Sequence, residues 1–393
     1  MARLSRSTEH RQADNRGKAV PLELFFDLVF VFAITQVSTL MASNPTWSGL
    51  VHGLAVLAVL WWAWAGYSWL SSATDPEEGW VRIAFFAVMA AMFVVALSTD
   101  EAFGASAVTF AVAYLVVRFL HLGVFWVLSK DEPGFRRAVL TMAPSFVLAP
   151  LLLVVGALAS GPLRGACWVV AIVVDYGGAL FGGSRGWRLN PSHFAERYGA
   201  FVIIALGEAI FAVGVAAEPG TGVSASLVAV AVVVVAIGGA LWWAYFDVVA
   251  IAAENRLHEL QGRDRNRLAR DSYSYLHLFV VAGIVLVALG AKKAAGHPVH
   301  ELATVPAVAL AGGASIYLVA LSSLKWRNYG SPNVQRLVTA AVIPVVVVPL
   351  ARWWSGLAAL VGLAVVVWVL IAFEAVHLAD ARRALRHPEA SGI

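Results

Sequence analysis

The chain has 393 residues, of which 60% are hydrophobic and 13% charged, and its mean hydropathy is +0.77. That balance excludes an ordinary soluble protein and defines an integral membrane protein. The net charge of +4 does not point to nucleic acid, because the basic residues fall in short connections between apolar runs, where they set membrane topology.

Residues 1–20 form a basic polar arm. The apolar run that follows is too long and too acidic for a cleaved signal sequence, so it is expected to stay as the first span. Reading onward for apolar runs of about 17–25 residues gives about twelve spans, at 22–41, 48–70, 80–98, 104–129, 138–159, 163–181, 194–217, 223–251, 273–291, 302–322, 336–352 and 355–378. The sixth, with Gly177 and Gly178 near its end, and the eleventh, with Pro344 and Pro349 inside, have the softest limits. The expected class is an all-α polytopic membrane helix bundle.

With the first arm in the cytoplasm, the inner connections collect Arg136 and Arg137, Arg185, Arg188 and Arg197, Arg256 to Arg270, Lys325, Arg327 and Arg336, and Arg382, Arg383 and Arg386. The outer ones hold Arg164, Lys292, Lys293 and Arg352. The asymmetry predicts both termini in the cytoplasm. The longest polar connection, 252–272, mixes both signs at helical spacing and reads as a cytoplasmic loop forming an amphipathic helix near the headgroups.

Self-comparison aligns Phe25 to Ser38 without gaps on Arg197 to Ile210, setting Gln36 opposite Glu208 and Asp27 opposite Gly199. The next span of each half carries an LWWA string, at Leu60 to Ala63 and Leu241 to Ala244. A weaker echo pairs Tyr114-Leu115-Val116 with Tyr317-Leu318-Val319. We therefore expect two parallel six-helix repeats, 21–182 and 183–380, followed by a cytoplasmic tail at 381–393.

Ionisable groups inside spans are the candidates for chemistry. Glu23 and Asp27 lie one turn apart on one stripe of the first span, with Gln36 on the opposite face. They read either as acids complementing the positive end of the helix or as members of an interior polar site. Glu208 lies deep in the seventh span, and the roughly 16 Å rise separating it from Arg197 forbids direct pairing. It is expected to be protonated, paired with another helix or in contact with water. Arg118 and His121 share a face of the fourth span, with Asp175 and Glu208 as alternative counter-charges. Asp247, Glu374 and His377 sit near cytoplasmic ends, where interface anchoring competes with function.

Enzyme signals are poor. GGSRG at Gly182 to Gly186 fits G-x-S-x-G but follows a membrane helix, not a strand, and reads as a turn. Cys167 is the only cysteine, and no metalloprotease, P-loop or zinc spacing is present. We expect no enzymatic activity, no metal and no cofactor.

The strings PLELFFDLVFVFAITQVS, ERYGAFVIIALGEAI and the two LWWA runs resemble the bacterial low temperature requirement A (LtrA) family over nearly the whole chain. The resemblance implies a multi-pass membrane protein associated with growth at low temperature. FFDLVFVFAIT, Phe25 to Thr35, is also similar to the F-S-D motif on the first helix of a family of endolysosomal and bacterial potassium or proton channels built from six-span repeats. Phe26 stands here in place of the serine. The function expected on these grounds is a transporter or channel of the bacterial plasma membrane for a cation, proton or small solute. Glu23, Asp27, Gln36, Arg118, His121, Asp175, Glu208 and Asp247 are its candidate pathway residues. The alternative is a non-transporting sensor or scaffold.

Overall fold

A computed structural model describes residues 20–377 apart from 75, 78, 183 and 217–223. The basic arm and the tail therefore lie almost wholly outside the described residues. Within them the chain is helical, with no strand, and twelve helices are long and apolar enough to cross a membrane. The first seven are α1 (Pro21–Ser43), α2 (Trp47–Ala73), α3 (Gly79–Leu97), α4 (Ala107–Leu128), α5 (Pro133–Leu158), α6 (Pro162–Phe181) and α7 (Pro191–Ala216). Then come α8 (Ala225–Phe246), α9 (Val249–Glu259), α10 (Gly262–Leu268), a π-helical stretch (Ala269–Leu276), α11 (His277–Gly296), α12 (Thr304–Tyr329), α13 (Val334–Trp353) and α14 (Gly356–His377).

Local chemistry explains the boundaries. Prolines open α1, α5, α6 and α7, where their missing N–H is one that no helix can pair. Ser224 and Asn333 cap α8 and α13 by accepting from Leu227 N and Arg336 N, each at 3.2 Å. Gly330 ends α12 in the left-handed region at φ 75°. The sixth and eleventh spans are continuous helices, the latter running through both of its prolines.

The described residues form two compact units. The first comprises 20–33, Ala58–Phe201 and Arg256–Arg270. In it α3, α4, α5 and α6 pack each on the next. The polar connection is helical, the form that its charge spacing suggests. It forms α9 and α10, and the part within this unit is docked: Asn266 donates to the carbonyls of Ser184 (3.0 Å) and Trp187 (2.9 Å), and Arg270 reaches the carbonyls of Ala179 and Leu180 at the end of α6. The basic residue thus satisfies carbonyls that the terminus leaves open.

The second unit comprises Ile34–Leu57, Val202–Asn255 and 271–377. Here α11 packs against α12, α14 and α8, with α13 between α12 and α14. Glycines permit the closest contact. A Cβ on Gly313 would lie 2.6 Å from the carbonyl oxygen of Gly283, and one on Gly283 would lie 2.7 Å from that of Gly313. Small residues at such crossings let helix backbones approach within a membrane. Pro344 cannot pair with the Ala340 carbonyl one turn earlier, and the Ser315 hydroxyl of α12 donates to that oxygen at 2.7 Å.

Large apolar side chains on the outer surface, including Ile83, Phe86, Phe93 and Leu97 along α3, fit a lipid-facing exterior.

Candidate functional site

Three buried polar groups emerge, two in the first unit and one in the second. In the first, the helical repeat places Glu23 and Asp27 one turn apart on α1, and His193 and Arg197 one turn apart on α7. The two pairs meet. Arg197 donates from Nη1 to Glu23 Oε1 at 2.9 Å and to Ser71 Oγ at 3.0 Å, and from Nη2 to Asp27 Oδ1 at 2.5 Å. His193 Nε2 lies 2.8 Å from Glu23 Oε2, and Trp64 Nε1 donates to Asp27 Oδ1 at 2.8 Å. Glu23 and Arg197 are 0% exposed. Glu23 also accepts from Val20 N at 3.1 Å, so the helix-start role coexists with the ion pair. Two carboxylates thus face one guanidinium and the His193 ring.

This geometry corrects the placement of Arg197. Its charge belongs to the interior and not to a topology-setting connection. Arg336 likewise is buried and paired, with Nε 2.8 Å from Glu374 Oε1 and Nη2 2.8 Å from Oε2. Neither His193 nor Arg197 was among the candidate residues. Their legible signal was the matching four-residue spacing of two bases and two acids.

The second group is on α4 and α6. Arg118 Nη2 lies 2.5 Å from Asp175 Oδ1, which settles the counter-charge as Asp175 and not Glu208. Tyr114 donates to Asp175 Oδ2 at 3.3 Å, and the guanidinium lies 4.0 Å from the centre of the Phe146 ring. His121 stacks on Tyr67 with ring centres 4.4 Å apart, and a Cβ on Gly66 would meet its Cε1 at 2.4 Å. It is held by packing. A cavity of about 10 Å³ beside Tyr114, Asp175 and Tyr176 has room for about one water.

The third group joins α1, α7 and α11 within the second unit. The Thr35 hydroxyl donates to Glu208 Oε2 at 2.6 Å. Thr39, one turn further along α1, donates to the Thr35 carbonyl at 2.9 Å and accepts from Lys292 Nζ at 3.2 Å. Glu208 is 2% exposed, and its Oε1 has no hydrogen-bond partner among the described residues. The buried Ser38 hydroxyl faces the same carboxylate and Lys292 acts on it as a positive charge. Of the three alternatives for Glu208, protonation, a partner on another helix or contact with water, the structure shows a partner on another helix, the Thr35 hydroxyl of α1.

Gln36 is half-buried on α1 in the second unit, outside these groups, and Asp247 is buried at the C-terminal cap of α8, its N–H donating to the Trp243 carbonyl. Among the described residues no group of three or more His, Cys, Asp or Glu side chains is placed to hold a metal ion.

A described chain made of twelve membrane-length apolar helices with ionic groups buried inside them is a multi-pass α-helical membrane protein. The family model for the bacterial low temperature requirement A protein (LtrA) matches residues 18–372, and the chain belongs to that family. It is 28% identical over 334 residues to a protein of Rhizobium meliloti (strain 1021) described as uncharacterized, a match that spans 80% of this chain and 79% of the other. No solved structure matches it.

Proposed function

We propose that the chain is a transport protein of the bacterial plasma membrane that moves a cation, a proton or a small solute, with Glu208 as the exchanging group. The observation that carries this reading is the incompletely bonded carboxylate: Glu208 is buried in a membrane-length helix, yet among the described residues its Oε1 has no partner within hydrogen-bond distance, and Ser38 is the only hydroxyl besides Thr35 to face the carboxylate. Buried carboxylates that serve packing alone are expected to have their acceptors filled, because an unsatisfied polar atom in low dielectric is costly. A polar group kept open inside a span is instead suited to binding and release. Among the described residues Asp27 Oδ2 also lacks a hydrogen-bond partner, but the Glu23–Asp27–Arg197 and Arg118–Asp175 groups form direct ion pairs and Glu208 forms none within 4 Å, so we assign those two groups an architectural role. The reading calls for no covalent chemistry, so we assign no enzymatic activity.

We also infer two parallel six-helix repeats with both termini cytoplasmic. What supports the repeat is a pair of similar hydrogen bonds, each inside its own unit. Tyr114 donates to the Val59 carbonyl at 3.3 Å and Tyr317 to the Leu241 carbonyl at 2.6 Å, so each reaches the start of its LWWA string, one residue out of register.

Purified protein in liposomes tests the transport reading. Flux of a cation, proton or small solute above empty-vesicle background is expected, with Glu208→Gln reducing it at least tenfold. Unchanged flux in that variant removes Glu208 from the mechanism, and no flux of any solute in a broad screen removes the transport reading.

A further inference from the structure

We propose that the species exchanged at Glu208 is a proton and not a metal cation. The inference rests on the transport reading for its purpose, but its geometry stands separately. A metal ion entering a dry site must replace its water shell with protein oxygens, about six for the hard divalent cations and a full ring of carbonyls for potassium in its filters. The oxygens around Glu208 do not supply that number. Oε2 already accepts the Thr35 hydroxyl, and Thr39 Oγ1 is occupied by the Lys292 ammonium. At this site, Glu208 Oε1 and Ser38 Oγ are the buried side-chain oxygens with no partner within hydrogen-bond distance among the described residues.

A proton has the opposite requirement. It needs one lone pair to bind and one acceptor for the O–H it creates. Oε1 offers the lone pair, and Ser38 Oγ on the facing turn of α1 is the acceptor. The step is balanced simply: the carboxylate gains a proton, one O–H bond forms, no bond to carbon changes, and the site passes from a negative to a neutral group. On release the carboxylate keeps the Thr35 hydroxyl and faces Lys292, the charged group that acts on it, which carries Lys293 beside it. That ammonium stabilises the carboxylate left when a proton departs. Thr35, Ser38 and Thr39, one hydroxyl face of α1, thus complete a site whose two states are both provided for.

Infrared difference spectra of the full chain in lipid vesicles, recorded across pH, test this directly. A protonated-carboxyl stretching band is expected that disappears in Glu208→Gln and is unmoved when sodium or potassium is replaced by a bulky organic cation. Ser38→Ala should keep the band but shift its frequency, since the acid loses its acceptor. That variant retains the helix and guards against a Gln variant that fails to fold. A band lost on adding sodium or potassium, or no band sensitive to either substitution, overturns the proton assignment. A Glu208 band in a protein that moves no solute leaves the proton site standing and removes the transport reading. Metal-driven flux without such a band does the reverse.

Discussion

Arg197 holds Glu23 and Asp27 at once, and the arrangement is asymmetric in its risk. Removing the guanidinium leaves two buried acids facing each other, whereas removing Trp64 Nε1 takes away one of the bonds on Asp27. Uncompensated buried charge costs far more than one absent hydrogen bond. Arg197→Ala is therefore expected to destabilise by about 3–5 kcal/mol, and Trp64→Phe by about 1 kcal/mol, read as thermal unfolding of detergent-solubilised protein. Equal effects would show that the ion pairs are not what holds α1 and α7 together in that unit. At this scale the acids were legible and their partners were not. Glu23 and Asp27 stand out as charges inside an apolar run, but Arg197, near the start of its span, looks the same in sequence whether it faces headgroups or the interior. Arg118 was recognised as needing a counter-charge, yet only side-chain geometry chose Asp175.

At the scale of helices, two devices replace what sequence treats as defects. Pro344 leaves the Ala340 carbonyl free and Ser315 fills it from the preceding helix, α12. Ser315→Ala should cost about 1 kcal/mol in the native background and markedly less beside Pro344→Ala, where the backbone N–H returns. A double-mutant cycle measures that coupling, and additive effects would refute it. Adjacent glycines in α12 provide a control of another kind. Gly313→Ala places a Cβ against the Gly283 carbonyl and should destabilise by about 1–3 kcal/mol. Gly312→Ala meets nothing within 4 Å and should be neutral or slightly stabilising. The polar connection, whose charge spacing suggested an amphipathic helix, continues through a π-helical stretch into α11, where His277 Nδ1 lies 2.8 Å from the Ser272 carbonyl and Nε2 2.8 Å from the Tyr245 hydroxyl. With Nδ1–H donating to a carbonyl, Nε2 must accept from the tyrosine.

For the whole molecule, the even number of spans and the bias of Lys and Arg lead to one orientation, and reporter fusions at either end should both report the cytoplasm. Deletion of residues 1–19 separates the functional classes. A transporter keeps its liposome flux without the arm; a sensor or scaffold acting through the arm loses its function. The inferred repeat makes a parallel claim: Tyr317→Phe costs about 1 kcal/mol by removing the bond to its LWWA helix, and Tyr114→Phe costs at least as much, because its hydroxyl is shared between the Val59 carbonyl and Asp175 Oδ2. In unfolding measurements, no loss of stability in Tyr317→Phe, or a smaller loss in Tyr114→Phe than in Tyr317→Phe, would argue that the resemblance of the two tyrosines is incidental.

Length, hydropathy and charge placement alone determined that this chain is an all-α multi-pass protein with twelve spans, because hydrocarbon leaves backbone groups no partner outside the helix and the apolar runs measure the crossing directly. The strings at spans one and seven also pointed to the LtrA family, and the acids Glu23, Asp27, Asp175 and Glu208 were visible as costly residues. Only tertiary structure decided what each acid is for. An apolar run records how deep a charge lies but not which neighbouring helix faces it, so the engaged pairs at Arg197 and Arg118 and the open oxygen of Glu208 became distinguishable once the helices were packed.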